Sequence, residues 1–135
     1  MQSTTDDDAA SFRAELRTWL SEHLRPELLP DRLAALPEED RVRLLRAWQA
    51  ELAADRWVGI TWPREVGGRA AGIPEQIAYT EEMARASAPP ALGALGVGIV
   101  GPPLVAYGSE AQRERFARRI LTGEDLWCCG FPEPG

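Results

Sequence analysis

Proline and glycine cut this chain into helix-length pieces, and that punctuation decides what it can fold into. Phe12, Leu16, Trp19, Leu20 and Leu24 recur at helical spacing, with Asp8 or Ser11 as a cap. Pro26 and Pro30 end that pattern. A second helix is expected from Pro37, where Glu38, Glu39 and Asp40 favour the positive end of the helix dipole. Its apolar stripe is Val42, Leu45, Trp48 and Leu52, and it runs out near Asp55. A third carries Pro74 in its first turn, with Ile73, Ile77 and Ala84 as its stripe, and stops at Pro89 and Pro90. Ser109 and Gln112 have capping-box spacing for a last helix bearing Phe116 and Ile120, after which Thr122-Gly123 turns the chain out.

Between these pieces lie two unusual stretches. Residues 56–72 hold four glycines and one proline, which rule out a regular helix, and Trp57 and Trp62, which should pack the connection down. Residues 91–107 are nearly uncharged and read as a central helix, buried all round and broken near Pro102, with Gly108 as its stop. The run from Trp127 to Phe131 reads as an apolar strand leading into a turn at Pro132-Glu133-Pro134-Gly135. The expected fold is all-α: an antiparallel helical bundle of five to six helices with a short terminal β-strand. Residues 1–8 form a disordered, Asp-rich lead, 9–125 the helical domain, and 126–135 the start of a further element.

The chemistry of the remaining residues excludes several functions. A net charge of −6 over 135 residues argues against coating nucleic acid, and the Arg113–Arg119 run is a solvated helix face. No stretch approaches the ~20 apolar residues of a membrane span, and the acidic N-terminus lacks a secretory signal, so the expected setting is cytoplasmic. Cys128 and Cys129 are adjacent, which fits neither zinc spacing nor an unstrained disulfide; two buried free thiols are expected. With His23 as the one histidine, on the surface near a helix end, no metal site can be assembled. Glu81 and Glu82 point about 100° apart on a helix, so a solvated face or a partner for Arg85 is expected rather than a catalytic pair.

Three blocks then stand out together. Trp62-Pro63-Arg64-Glu65-Val66-Gly67-Gly68 is similar to the Trp-Pro-x-Glu-(aromatic)-Gly-Gly loop of acyl-CoA dehydrogenases. Tyr79-Thr80-Glu81-Glu82-Met83-Ala84-Arg85 resembles that family's Glu-Glu-Leu-Ala-Arg helix. Tyr107-Gly108-Ser109-Glu110-Ala111-Gln112 resembles the third block, which continues through Gly123-Glu124 to Trp127 and Phe131-Pro132-Glu133-Pro134-Gly135. The chain thus resembles the N-terminal helical domain of that family, ending where its flavin-binding middle domain begins.

The resemblance implies oxidation of an acyl-CoA thioester across its α and β carbons, with FAD as hydride acceptor. It implies that the catalytic base is a carboxylate of a C-terminal bundle, with no counterpart here, so no catalytic residue is assigned. Cys129, Phe131 and Pro132 fall where the family holds the flavin ring. Pro132 takes the place of a Ser or Thr hydroxyl and offers neither hydroxyl nor N–H. Leu95, Gly96, Gly98 and Ile99 are expected to line the acyl side of the substrate pocket, glycine allowing close approach. No glycine-rich loop has phosphate-cradle spacing, so most of the FAD site lies outside this sequence. Expected partners are the acyl-CoA substrate and either further copies of the chain or a chain supplying the missing domains. The competing reading is a non-catalytic helical assembly module derived from the same family.

Overall fold

The computed structural model describes residues 2–133. Six α-helices follow one another: α1 Gln2–His23, α2 Pro30–Ala34, α3 Glu38–Ala54, α4 Ile73–Arg85, α5 Gly101–Tyr107 and α6 Glu110–Thr122. Helix α1 packs on α4, α3 packs on α6, and α5 lies against α6. Their apolar faces meet over an aromatic core in which Trp19 contacts Trp48 and Trp57, and Phe12 sits edge-on to Trp57 at 5.3 Å.

Several sequence expectations change here. The lead expected to be disordered is helical from Gln2, because nothing in residues 2–8 breaks a helix and each added residue gains a backbone bond once α1 is nucleated. The stripe expected for α4 is inverted. Ile73 and Ile77 are 73% and 53% exposed and Ala84 is exposed, whereas Ala78, Glu82 and Met83 are buried. The face turned to α1 is chosen by Arg13 and Arg17, which meet Glu82 there.

The connection 56–72 packs down as expected. Ile60 O accepts the N–H groups of Arg69 and Ala71, and Trp62 O accepts that of Ala70, folding the loop back on itself. Gly67 adopts φ 102°, a conformation that costs glycine nothing. The Arg69 guanidinium lies 3.4 Å from the centre of the Trp57 ring and donates to Arg56 O and Asp55 O, riveting the loop to the end of α3.

The stretch 91–107 is neither buried all round nor broken at Pro102. From residue 94 to 107 it is one continuous helical run whose Gly96–Val100 turn is a π-helix leading directly into α5. Pro102 and Pro103 cannot donate and would crowd the carbonyls four residues back, and the wider π turn relieves both conflicts. Gly101 N–H reaches Gly96 O, five residues back. One side of the run, with Leu95, Ile99, Pro102, Pro103 and Tyr107, is exposed.

The expected terminal strand is absent among the described residues: 126–133 form neither strand nor helix and pair with no neighbouring backbone. A strand exists only when a neighbour takes its N–H and C=O groups. For the same reason Cys128 and Cys129 are exposed rather than buried. Pro134 and Gly135 of the expected turn lie outside the described residues.

Candidate functional site

The segment 94–100, which carries the four expected pocket residues, is held from behind by one amide. Gln49, fully buried on α3, donates from Nε2 to Ile120 O and Leu121 O at 3.1 and 3.0 Å, and its Oε1 accepts the Gly93 N–H at 2.8 Å. It ties the end of α6 to the start of the segment. Trp62 adds a second tie, its Nε1 donating to Val97 O at 3.1 Å.

So fixed, the segment turns its four expected pocket residues in different directions. Leu95 and Ile99 are exposed, 41% and 58%, on the open side. Gly98 also opens outward: a Cβ placed there would meet nothing within 4 Å. It lies on the wall of an apolar groove of about 370 Å³ shared with Trp57, Val58, Tyr79, Met83 and Ala94. Tyr79 is the groove's phenol. Its hydroxyl donates to Trp57 O at 2.9 Å, and burial pushes its pKa up to about 12, so it stays protonated. Gly96 instead faces inward, 3.1 Å from Trp127 Cδ1 and 3.2 Å from Ile120 Cγ2 when a Cβ is built on it. Its role is close packing.

After α6 the chain doubles back across this segment. Gly123, in the left-handed conformation, ends the helix, and Leu126 and Trp127 approach Gly93 and Gly96. Beyond them Cys129, Phe131 and Pro132 are exposed together, Phe131 by 87%. Among the described residues nothing takes the backbone N–H or C=O groups of 126–133. The acyl-side and flavin-side residues expected from the sequence are therefore joined through Trp127.

Sequence reasoning missed Gln49 altogether and missed the burial of Glu82. Gln49 was hidden because a single amide within an apolar stripe carries no periodic signal. Glu82 is buried to 2% and receives Arg17 through two hydrogen bonds at 3.0 and 2.8 Å, Arg13 at 2.9 Å and Arg85 at 3.3 Å. The Arg17 hydrogen bond, joined by Arg13 and the surrounding positive charge, holds its carboxyl down at about 2. The expected Arg85 partner is present, but the solvated face holds for Glu81 alone, which pairs with Arg13. Both carboxylates are spent on joining α4 to α1. No cluster of metal-ligating side chains occurs among the described residues, and no helix among them is long and apolar enough to cross a membrane.

Comparison with known proteins places this geometry. Residues 6–124 match the family model described as acyl-CoA dehydrogenase, N-terminal domain. The chain is 38% identical over 130 residues to acyl-CoA dehydrogenase IpdE1 of Mycobacterium tuberculosis, covering 95% of this chain and 34% of that protein. It is 34% identical over 123 residues to acyl-CoA dehydrogenase FadE29 of the same organism, covering 91% and 30%. Among solved structures it is similar to the Tcur3481-Tcur3483 steroid ACAD, with a TM-score of 0.60 at 30% identity over 96% of this chain and 32% of that one. It is similar also to the ChsE4-ChsE5 complex from Mycobacterium tuberculosis, with a TM-score of 0.64 at 31% identity over 87% and 28%. The chain spans about a third of the length of the curated relatives it matches. The tryptophan loop, the Glu-Glu helix and the capped last helix stand in one bundle matched almost end to end, and the chain belongs to the acyl-CoA dehydrogenase family.

Proposed function

We propose that this chain is the N-terminal helical domain of an FAD-dependent acyl-CoA dehydrogenase that desaturates a steroid-derived acyl-CoA between its α and β carbons. In this reading residues 9–125 are the helical domain proper and 126–135 enter the flavin-binding middle domain. The observation that carries it is the open apolar side of the 94–100 segment, with Leu95, Gly98 and Ile99, next to the unpaired backbone of 128–133. A relative described as a steroid ACAD supports the substrate class.

Leu95, Gly98 and Ile99 exclude water and offer an apolar wall to the acyl group, with Gly98 leaving room for a broad ring system. Gly96 contributes from behind, by admitting Trp127. The backbone groups of Cys129 and Phe131, which have no partner among the described residues, would hold one edge of the flavin, and Pro132 adds no donor. FAD, when bound, supplies the hydride acceptor, and the α-proton passes to a carboxylate outside this domain. The exposed apolar face is covered by the remaining domains, carried by the same polypeptide, a further copy or a partner chain. Structural relatives that pair two subunits support a partner.

A second reading, a non-catalytic assembly module, is favoured by Pro132, which removes a hydrogen bond to the flavin. One experiment separates them. In the complete assembly containing this chain, anaerobic addition of a steroid-derived acyl-CoA should bleach the flavin absorbance band. A colourless assembly, or a band that persists at saturating substrate, overturns the enzymatic reading and leaves the module.

A further inference from the structure

Trp127 is the last side chain of the C-terminal run that is packed into the bundle, since Cys128 to Glu133 are all exposed. Its indole meets Phe116 edge-on, ring centres 5.7 Å apart and planes 79° from parallel. On its other side lies Gly96, where an added Cβ would fall 3.1 Å from Cδ1 and 3.6 Å from Cγ of the indole. The indole is thus clamped between α6 and the π turn that carries Gly98 and Ile99 and directly follows Leu95. Its Nε1 is buried and has no partner among the described residues.

We propose that Trp127 is a positioning residue, whose clamped ring sets the distance between the acyl-side turn at 96–100 and the flavin-side run at 128–132. The inference rests on the enzymatic reading above. Trp127 and Cys129 are two residues apart, so a displacement of the clamped indole that is passed to its own backbone reaches Cys129 within one short stretch of chain. Gly96 is one residue from Leu95, so the same shift moves the acyl wall. The nearest atoms to a Cβ built on Gly96 belong to Trp127 and Ile120, so the indole is the first group of the run that a substitution there would displace.

The test is made in the complete flavoenzyme, with flavin affinity read by fluorescence titration and KM taken for short and bulky acyl-CoA substrates. Gly96→Ala should push the indole by a few tenths of an ångström and weaken flavin binding about tenfold, with a parallel rise in KM for the bulky substrate. On a Trp127→Leu background, which removes the ring it would push, Gly96→Ala should have almost no further effect on flavin affinity. A purely structural pair would lower Tm and leave flavin affinity unmoved or its losses additive, and either result overturns the inference. Should Gly96→Ala fail to fold, Trp127→Phe and Trp127→Leu decide: Phe should retain flavin within about threefold and Leu should not. Equal affinity in wild type and both variants overturns the inference while sparing the enzymatic reading. A wild-type assembly that binds no flavin overturns both.

Discussion

Trp62 reaches across the bundle to occupy the space that a side chain on Gly101 would need. The benzo ring of its indole lies where a Cβ on Gly101 would be placed, while its Nε1 donates to Val97 O one turn earlier. The Trp-Pro loop and the helical run 94–107 are thereby registered against each other through one side chain.

Gly101→Ala tests that register. Gly101 has φ −63°, so alanine brings no backbone strain and the whole cost is the collision with Trp62. A loss of about 1–3 kcal/mol is expected. Gly98→Ala, three residues earlier and in open space, should instead stabilise by about 0.4–1 kcal/mol. Urea denaturation of the two variants in parallel checks both signs.

Gln49→Leu keeps the volume of the side chain and removes the amide. It leaves the buried Gly93 N–H without an acceptor, at a cost of about 1–3 kcal/mol. Hydrogen exchange should show the Gly93 amide losing protection more than its helical neighbours.

Glu82 sets an acid limit on the fold. Its folded pKa is about 2 against an ordinary value of 4.5. Because the folded value is the lower one, the stabilisation is complete above 4.5 and is lost as pH falls through about 2. Asp125, lowered by its hydrogen bonds from Arg119, acts in the same direction. Tm followed through this window should fall more steeply for wild type than for Glu82→Gln. The variant itself should be less stable at neutral pH, where three guanidinium groups lose their shared anion.

Much of this arrangement was legible in the residues. The capping box at Ser109 and Gln112 forms as its spacing implies, with both reciprocal hydrogen bonds present. Pro74 opens α4 and Gly123 closes α6. What could not be read is which face of a helix meets which neighbour. Ile73 and Ile77 have the right spacing for a core stripe, yet α4 buries Glu82 because α1 presents arginines opposite it. Hydrophobic period locates a stripe, and the partner decides whether a polar residue is worth more there. The run from Trp127 fails as a strand for a related reason: its local propensity is that of a strand, but pairing groups must come from elsewhere. Of the expected site residues, Leu95, Gly98 and Ile99 share the open side, and Gly96 was inseparable from them by composition alone.

Substituting the groove wall should therefore separate the glycines. In the complete enzyme, Gly98→Leu should leave the fold intact and shift preference toward slimmer acyl groups, read as a rise in KM for the bulky substrate. Gly96→Leu should fail to accumulate as folded protein, since Trp127 and Ile120 leave no room.

The chain by itself should associate. Leu95, Ile99, Tyr107 and Phe131 are all exposed, and Ile73 and Ile77 add a second apolar strip. Light scattering should show a mass that rises with concentration, and a monomer at all concentrations would contradict this.

The π turn at 96–100 has a consequence for how sequences of this kind can vary. A π turn is an α-helix holding one surplus residue, so deleting Gly98 would let the run close into regular α-helix. The wide turn absorbs that surplus residue, so the turns on either side would keep their rotation about the axis. The open position at Gly98 would be gone, and Pro102 and Pro103 would regain the crowding that the wide turn relieves. The length of this segment thus shapes its exposed apolar side as much as the identity of any residue in it.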